Sequence, residues 1–174
     1  MVNKTRKTAI GAALILVATM VIAARPAQKR PSDFSFRSID GESVTSDSLR
    51  GQVVVLAIGA AWLPLSKNQL EGVKKLADDY AGRGVAVYWV STDSDSPKSK
   101  NFASEEQLRA LGRKYKVTVL RDPDGVVSKK FGVNQLPTVV IIDKQGNISG
   151  EPIGGLDPNA NLTAQLSERL KKVL

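Results

Sequence analysis

Val53-Val54-Val55-Leu56-Ala57-Ile58-Gly59-Ala60-Ala61-Trp62-Leu63-Pro64-Leu65-Ser66 is the stretch from which the fold can be read. Val53 to Ile58 is a continuous apolar run of strand length, the pattern of a central strand covered on both faces. Beyond Ser66, residues Leu70, Val73, Leu76, Ala77 and Tyr80 recur at helical spacing, with Lys67, Glu71, Lys74, Lys75 and Asp78 turned outward. Ser66 reads as the N-cap of this helix, because serine is strongly favoured there. Gly82 and Gly84 end it.

Downstream, Val85 to Val90 predicts a second apolar strand, followed by a polar loop from Ser91 to Asn101. Ser104-Glu105-Glu106-Gln107 has the form of a capping box and predicts a helix ending near Tyr115. Val117 to Leu120 reads as a short strand, Asp122-Pro123-Asp124-Gly125 as a turn, and Val126 to Phe131 as a brief helix closed by Gly132. Thr138 to Ile142 is a further apolar strand, Asp143-Lys144-Gln145-Gly146 a hairpin turn, and Asn147 to Ile153 the returning edge strand. A last helix is expected from Asp157-Pro158, with Leu162, Leu166, Leu170 and Val173 on its buried side. Upstream, the alternation in Phe34 to Ile39, the Asp40-Gly41 turn and the return from Val44 to Ser48 predict an opening hairpin. Strand, helix, strand, helix is the rhythm of a parallel βαβ sheet.

The N-terminus has a different composition. Lys4, Arg6 and Lys7 precede 17 residues without charge, Thr8 to Ala24. That order, a basic region and then an apolar one, belongs to an export signal. The run is just long enough to cross a bilayer, so length favours an uncleaved signal-anchor over a removed signal peptide. Arg25 to Ser32, with two prolines and three basic residues, reads as an extended linker. The expected organisation is therefore a signal-anchor or signal peptide over residues 1–24, a linker over 25–32 and one globular domain over 33–174, placed outside the cytoplasm. If the leader is cleaved, the domain is secreted.

The net charge of +8 divides unevenly along the chain. Residues 1–31 hold six basic residues and no acid, leaving nineteen basic and seventeen acidic residues for the rest. Basicity confined to a leader suits anionic lipid headgroups, and aromatic residues are too sparse for a base-stacking platform, so no nucleic-acid partner is expected. None of the 174 residues is Cys or His. This removes disulfides, thiolate nucleophiles, sulfur-ligated metals and the usual general base. Ser66 has no histidine to activate it as a nucleophile, and its neighbour Lys67 is poorly oriented for the task. Asp93 and Asp95 lack the ligand count of a calcium loop and read as a solvated loop. No metal or cofactor is expected.

The strand-to-helix passage ending in Trp62-Leu63-Pro64-Leu65-Ser66 resembles the active-site passage of the redoxin and TlpA-like thioredoxin families, in which Trp-Cys-Pro-x-Cys closes an apolar strand. Arg121-Asp122-Pro123-Asp124-Gly125 and Phe131-Gly132-Val133-Asn134-Gln135-Leu136-Pro137-Thr138 resemble the approach to those families' cis-proline loop. The resemblance covers roughly Asp33 to Leu174. It implies a thioredoxin-like three-layer α/β sandwich, with a mixed central sheet and an N-terminal hairpin, here preceded by an N-terminal membrane helix. By the same resemblance Leu63 and Ser66 stand at the two cysteine positions, Gln69 at the helper acid and Pro137 at the cis-proline. The peroxidatic frame of peroxiredoxins and the Cys and His set of copper chaperones are absent.

With no catalytic residue at Leu63 or Ser66, the leading expectation is a membrane-tethered domain without thiol redox chemistry. It would bind an extended peptide or a protein partner at the former active-site groove, lined by Trp62, Leu63, Pro64, Leu136 and Pro137 as an apolar mouth. Trp62 is expected to be packed at the strand end, following the burial habit of tryptophan. Two alternatives stand beside this reading: the thiol-disulfide oxidoreductase or antioxidant activity that the families imply, and a structural module of an envelope assembly.

Overall fold

A computed structural model describes residues 33–155 and 161–174. The expected leader and linker and the Asp157-Pro158 helix start lie outside the described residues. Among those described, no helix is long and apolar enough to cross a membrane.

The apolar run becomes β3 (Val53–Gly59), with every residue buried. It pairs in parallel with β4 (Val85–Ser91) on one side and antiparallel with β6 (Thr138–Ile142) on the other. A strand paired on both edges has no free backbone, and its side chains serve two cores at once. Val53, Val55 and Ala57 join one hydrophobic cluster, while Val54, Leu56 and Ile58 join the other. β5 (Val119–Arg121) continues the parallel set beyond β4, and the opening hairpin of β1 (Ser35–Ser38) and β2 (Ser43–Thr45) pairs antiparallel with β5. β7 (Ile153–Gly154) closes the other edge, giving the order β2-β1-β5-β4-β3-β6-β7. The mixed sheet and the N-terminal hairpin match the expectation.

The edge after β6 differs from it. The run Asn147 to Ile153 does not form one strand: only an isolated bridge at Ile148 and the two residues of β7 pair with β6. Gly150 has a φ of 72°, which takes the chain out of extended geometry between these points.

Three helices cover one face of the sheet: α1 (Pro64–Asp79), α2 (Glu105–Tyr115) and α4 (Leu162–Val173). Leu70, Val73 and Leu76 of α1, Leu108 of α2 and Leu166 and Leu170 of α4 are each at most 1% exposed. The capping box of α2 forms as read, Ser104 accepting from the Gln107 N–H and Gln107 accepting from the Ser104 N–H. The opposite face has a thinner cover, in which the five-residue α3 (Val126–Lys130) and the segments carrying Leu49 and Phe131 pack on Phe34, Phe36 and Leu56. Asp79 also ties α1 to α4. Hydrogen bonds from Lys75 and then Thr163 hold its carboxyl below the usual range.

The α1–α4 contact depends on Gly72. A Cβ at that position would lie 2.8 Å from the Cβ of Leu162. Ala is ordinarily about 1 kcal/mol better than Gly inside a helix. Here Gly72→Ala is expected to lower the urea midpoint instead, with a smaller loss in the Leu162→Gly background, which removes that Cβ, as in a double-mutant cycle. A midpoint raised by Gly72→Ala would show that the two helices are not in close contact.

Candidate functional site

The site is built where β3 hands over to α1. Gly59 ends the strand, and the chain turns through Ala60 to Leu63, the Leu63 N–H donating to the Ala60 carbonyl at 3.1 Å. Leu63 is the N-cap residue, with no side-chain cap, and Pro64 occupies the first helical position. Proline belongs there because its missing N–H would have had no partner within the helix. Ser66 is thus not the N-cap that its residue type suggested. It lies three residues past the N-cap, fully buried, with its hydroxyl accepting from the Ala60 N–H at 3.1 Å. Serine binds the preceding turn from inside the helix instead of capping its end.

Beneath Ser66 lies a buried polar group that sequence reasoning undervalued. Gln69 is 7% exposed. Its Nε2 donates to the Thr138 carbonyl at 3.1 Å, and its Oε1 accepts from the indole N–H of Trp89 at 3.1 Å. A primary amide has both a donor and an acceptor, so one side chain satisfies an indole and a carbonyl without a buried charge. Gly59 makes the space for this arrangement. A Cβ there would come within 2.7 Å of Ser66 Oγ and 2.9 Å of Gln69 Oε1. Glycine at the end of an otherwise large-apolar strand was the sequence signal for this close approach.

Asp93 is a second surprise. Asp95 is exposed as expected, but Asp93 is 1% exposed and is not part of a solvated loop. Its Oδ2 accepts from the Ala61 N–H at 2.8 Å and from the Ser91 hydroxyl at 2.7 Å. This carboxylate fixes the turn that leads into Trp62. Its Oδ1 is the one buried side-chain polar atom without a hydrogen-bond partner among the described residues.

The five groove residues are brought to one end of two paired strands. Trp62, Leu63 and Pro64 follow β3, and Leu136 and Pro137 precede β6, with Ile58 opposite Thr138. Their exposures differ. Trp62 is 55% exposed, contrary to the packed position expected, because the turn at Ala60 carries it off the strand end into solvent. Leu65 beside it is 45% exposed. Pro64 is exposed, Leu63 and Leu136 are half-buried, and Pro137 is buried behind a cis peptide bond. The mouth is therefore apolar on one side only. Beside Leu136 a cavity of about 400 Å³ is lined by polar groups including Asn101, Lys129, Asn134 and Gln135.

A model of the AhpC/TSA family matches residues 27–150. The chain belongs to the AhpC/TSA family. Among its relatives, the thiol-disulfide oxidoreductase ResA of Bacillus thuringiensis subsp. konkukian is 26% identical over 145 residues, covering 83% of this chain and 77% of the relative. The thioredoxin-like protein YneN of Bacillus subtilis is 29% identical over 126 residues, covering 70% of this chain and 68% of YneN. In structure, the exposed lipoprotein thioredoxin Etrx1 of Streptococcus pneumoniae superposes with a TM-score of 0.61 at 26% identity, covering 78% of this chain and 98% of the other. This AhpC/TSA member keeps the thioredoxin-like fold and has no cysteine at all.

The Gln69 arrangement can be tested by charge. In Gln69→Glu, burial and the facing Thr138 carbonyl would raise the carboxyl's folded-state pKa above its unfolded value of about 4.3. Below that pH the protonated acid donates to Thr138, and stability should match the parent. As pH rises the penalty should grow to about 2–3 kcal/mol, read as the difference between urea unfolding curves at acid and neutral pH. A penalty that does not change with pH would mean that position 69 is not held as described.

Proposed function

We propose that this protein is a non-catalytic, thioredoxin-like binding domain, tethered through residues 8–24 outside the cytoplasm, which holds an extended peptide or protein segment at the former redox groove. The observation that carries the reading is the content of the two motif positions. Thiol-disulfide exchange proceeds by thiolate attack through a mixed disulfide. Leu63 offers a half-buried hydrocarbon at the first position, and at the second the hydroxyl of Ser66 is turned inward onto the Ala60 N–H.

Two features support binding at this place. Trp62 and Leu65 form an exposed apolar pair at the groove, and exposed apolar surface of this kind marks contact sites. Across from them, the Leu136 N–H and C=O have no backbone partner among the described residues. An extended peptide can add to such a segment as a strand, the main chain giving affinity and the flanking side chains selectivity. The placement outside the cytoplasm is supported by the basic-then-apolar leader and by the Streptococcus pneumoniae relative, which is described as an exposed lipoprotein.

The purified protein should show no turnover above buffer in a dithiothreitol-coupled disulfide-reduction assay or in a peroxidase assay; measured turnover would overturn the non-catalytic reading. The double substitution Leu63→Cys and Ser66→Cys should yield a reducible disulfide, checked by a mass difference on alkylation. A photo-crosslinking residue at Leu63, used in native membranes, should capture one dominant adduct. The adduct should be lost when Trp62→Ala and Leu65→Ala are combined, and an adduct pattern indifferent to those changes would argue against a groove partner.

A further inference from the structure

The sheet carries a second constellation near its other edge, at the same end as the groove. β1 and β5 run antiparallel and place Arg37 directly opposite Arg121. Like charges facing one another across such a pair are destabilising. Neither guanidinium forms an ion pair among the described residues, and Arg121 makes only a 3.4 Å hydrogen bond to the Ala103 carbonyl. Strand alternation puts both on the helical face, since Arg121 follows the parity of Val119 and Arg37 that of Ile39, two residues of the helix-covered cluster. They line a cavity of about 490 Å³ beside the first turn of α2, within the size range of small-molecule sites.

Two carboxylates, Asp95 and Glu105, line the same cavity. Opposite charges around one cavity would be expected to close into bridges, but neither carboxylate pairs with Arg37 or Arg121. Asp95 is carried by the loop after β4, Glu105 by the first turn of α2, and the arginines by the strands. The backbone holds the two signs apart. Phe102, 37% exposed, and Pro97 supply an apolar surface to the same space.

We infer that this cavity binds a small zwitterion of the amino-acid class, its carboxylate on the Arg37–Arg121 pair, its ammonium toward Asp95 and Glu105, and its side chain against Phe102 and Pro97. A planar carboxylate suits the arginine fork, and the ammonium meets Asp95, which has no ion pair among the described residues, together with Glu105, which is bridged only to Arg109 at 4.0 Å. The cavity lies outside the carboxyl ends of β4 and β5, where open α/β sheets place their ligands. It shares no lining residue with the groove motif, so the two sites can be tested separately.

The test is isothermal titration of the full-length protein with three probes: L-phenylalanine, 3-phenylpropionate and phenethylamine. L-Phenylalanine should bind saturably, and the two singly charged probes at least about tenfold more weakly. Arg37→Gln, at an exposed position, should weaken L-phenylalanine by about tenfold while leaving thermal unfolding of the unliganded protein unchanged or raised, since it removes a like-charge pair, and Asp95→Asn should also weaken binding with unliganded unfolding unchanged. Three results would each overturn the proposal: no saturation by L-phenylalanine, equal binding of all three probes, or an affinity indifferent to Arg37→Gln.

Discussion

The amide of Gln69 holds the helical layer to the sheet at the point where the site is made. Through it α1 is bonded to Trp89 of β4 and to Thr138 of β6, and a longer 3.5 Å contact reaches the Ile58 carbonyl of β3. Three strands are thus gathered by one side chain, in a region where an unpaired polar atom would cost about 1–3 kcal/mol. Gly59 is the complementary constraint, since the approach of Ser66, Gln69 and Trp89 to the strand is closed to any residue with a Cβ. The orientation of α1, and with it the placement of Trp62 to Leu65, follows from these two residues.

The same packing determines what the two motif positions present. The motif that the chain resembles carries a cysteine at the helix start and, by the same resemblance, an acid at position 69. Here the helix start is closed by Leu63 and Pro64, the buried hydroxyl is bound to the Ala60 N–H, and the position beneath holds an amide that does not titrate. The polar groups of Ser66 and Gln69 each have hydrogen-bond partners. A carboxyl at position 69 would face the Thr138 carbonyl in a buried site, which disfavours its ionised form.

Much of this was legible in the residues. The unbroken Val53–Ile58 run has the length and composition of a strand buried on both faces, and the helical spacing of Leu70, Val73 and Leu76 set the buried side of α1. Propensity failed where tertiary contacts prevailed. Serine favours caps, but at position 66 a buried amide lies within reach, and Leu63-Pro64 supplies the helix start by backbone geometry alone. Tryptophan favours burial, but Trp62 sits within the turn that directs the chain outward, while Trp89, at a strand interior, takes the packed role. Asp93 sits in a polar stretch that looks like solvent-exposed loop, and only the fold shows that the Ala61 N–H, 32 residues away, needs its carboxylate.

The loop after β4 then acquires a meaning that its composition hides. At its root Asp93 anchors the turn carrying Trp62, and farther along it is pinned back on itself, the Ser94 N–H donating to the Asn101 carbonyl at 2.8 Å and the Ala103 N–H to the Ser94 carbonyl at 3.2 Å. Between those pins the same loop supplies Asp95 and Pro97 to the charged cavity, while Thr92 and Asn101 face the polar cavity beside Leu136. One closed loop therefore forms a wall of both recesses and the support of the apolar pair. Its least satisfied atom, Oδ1 of Asp93, lies at the root where these surfaces meet.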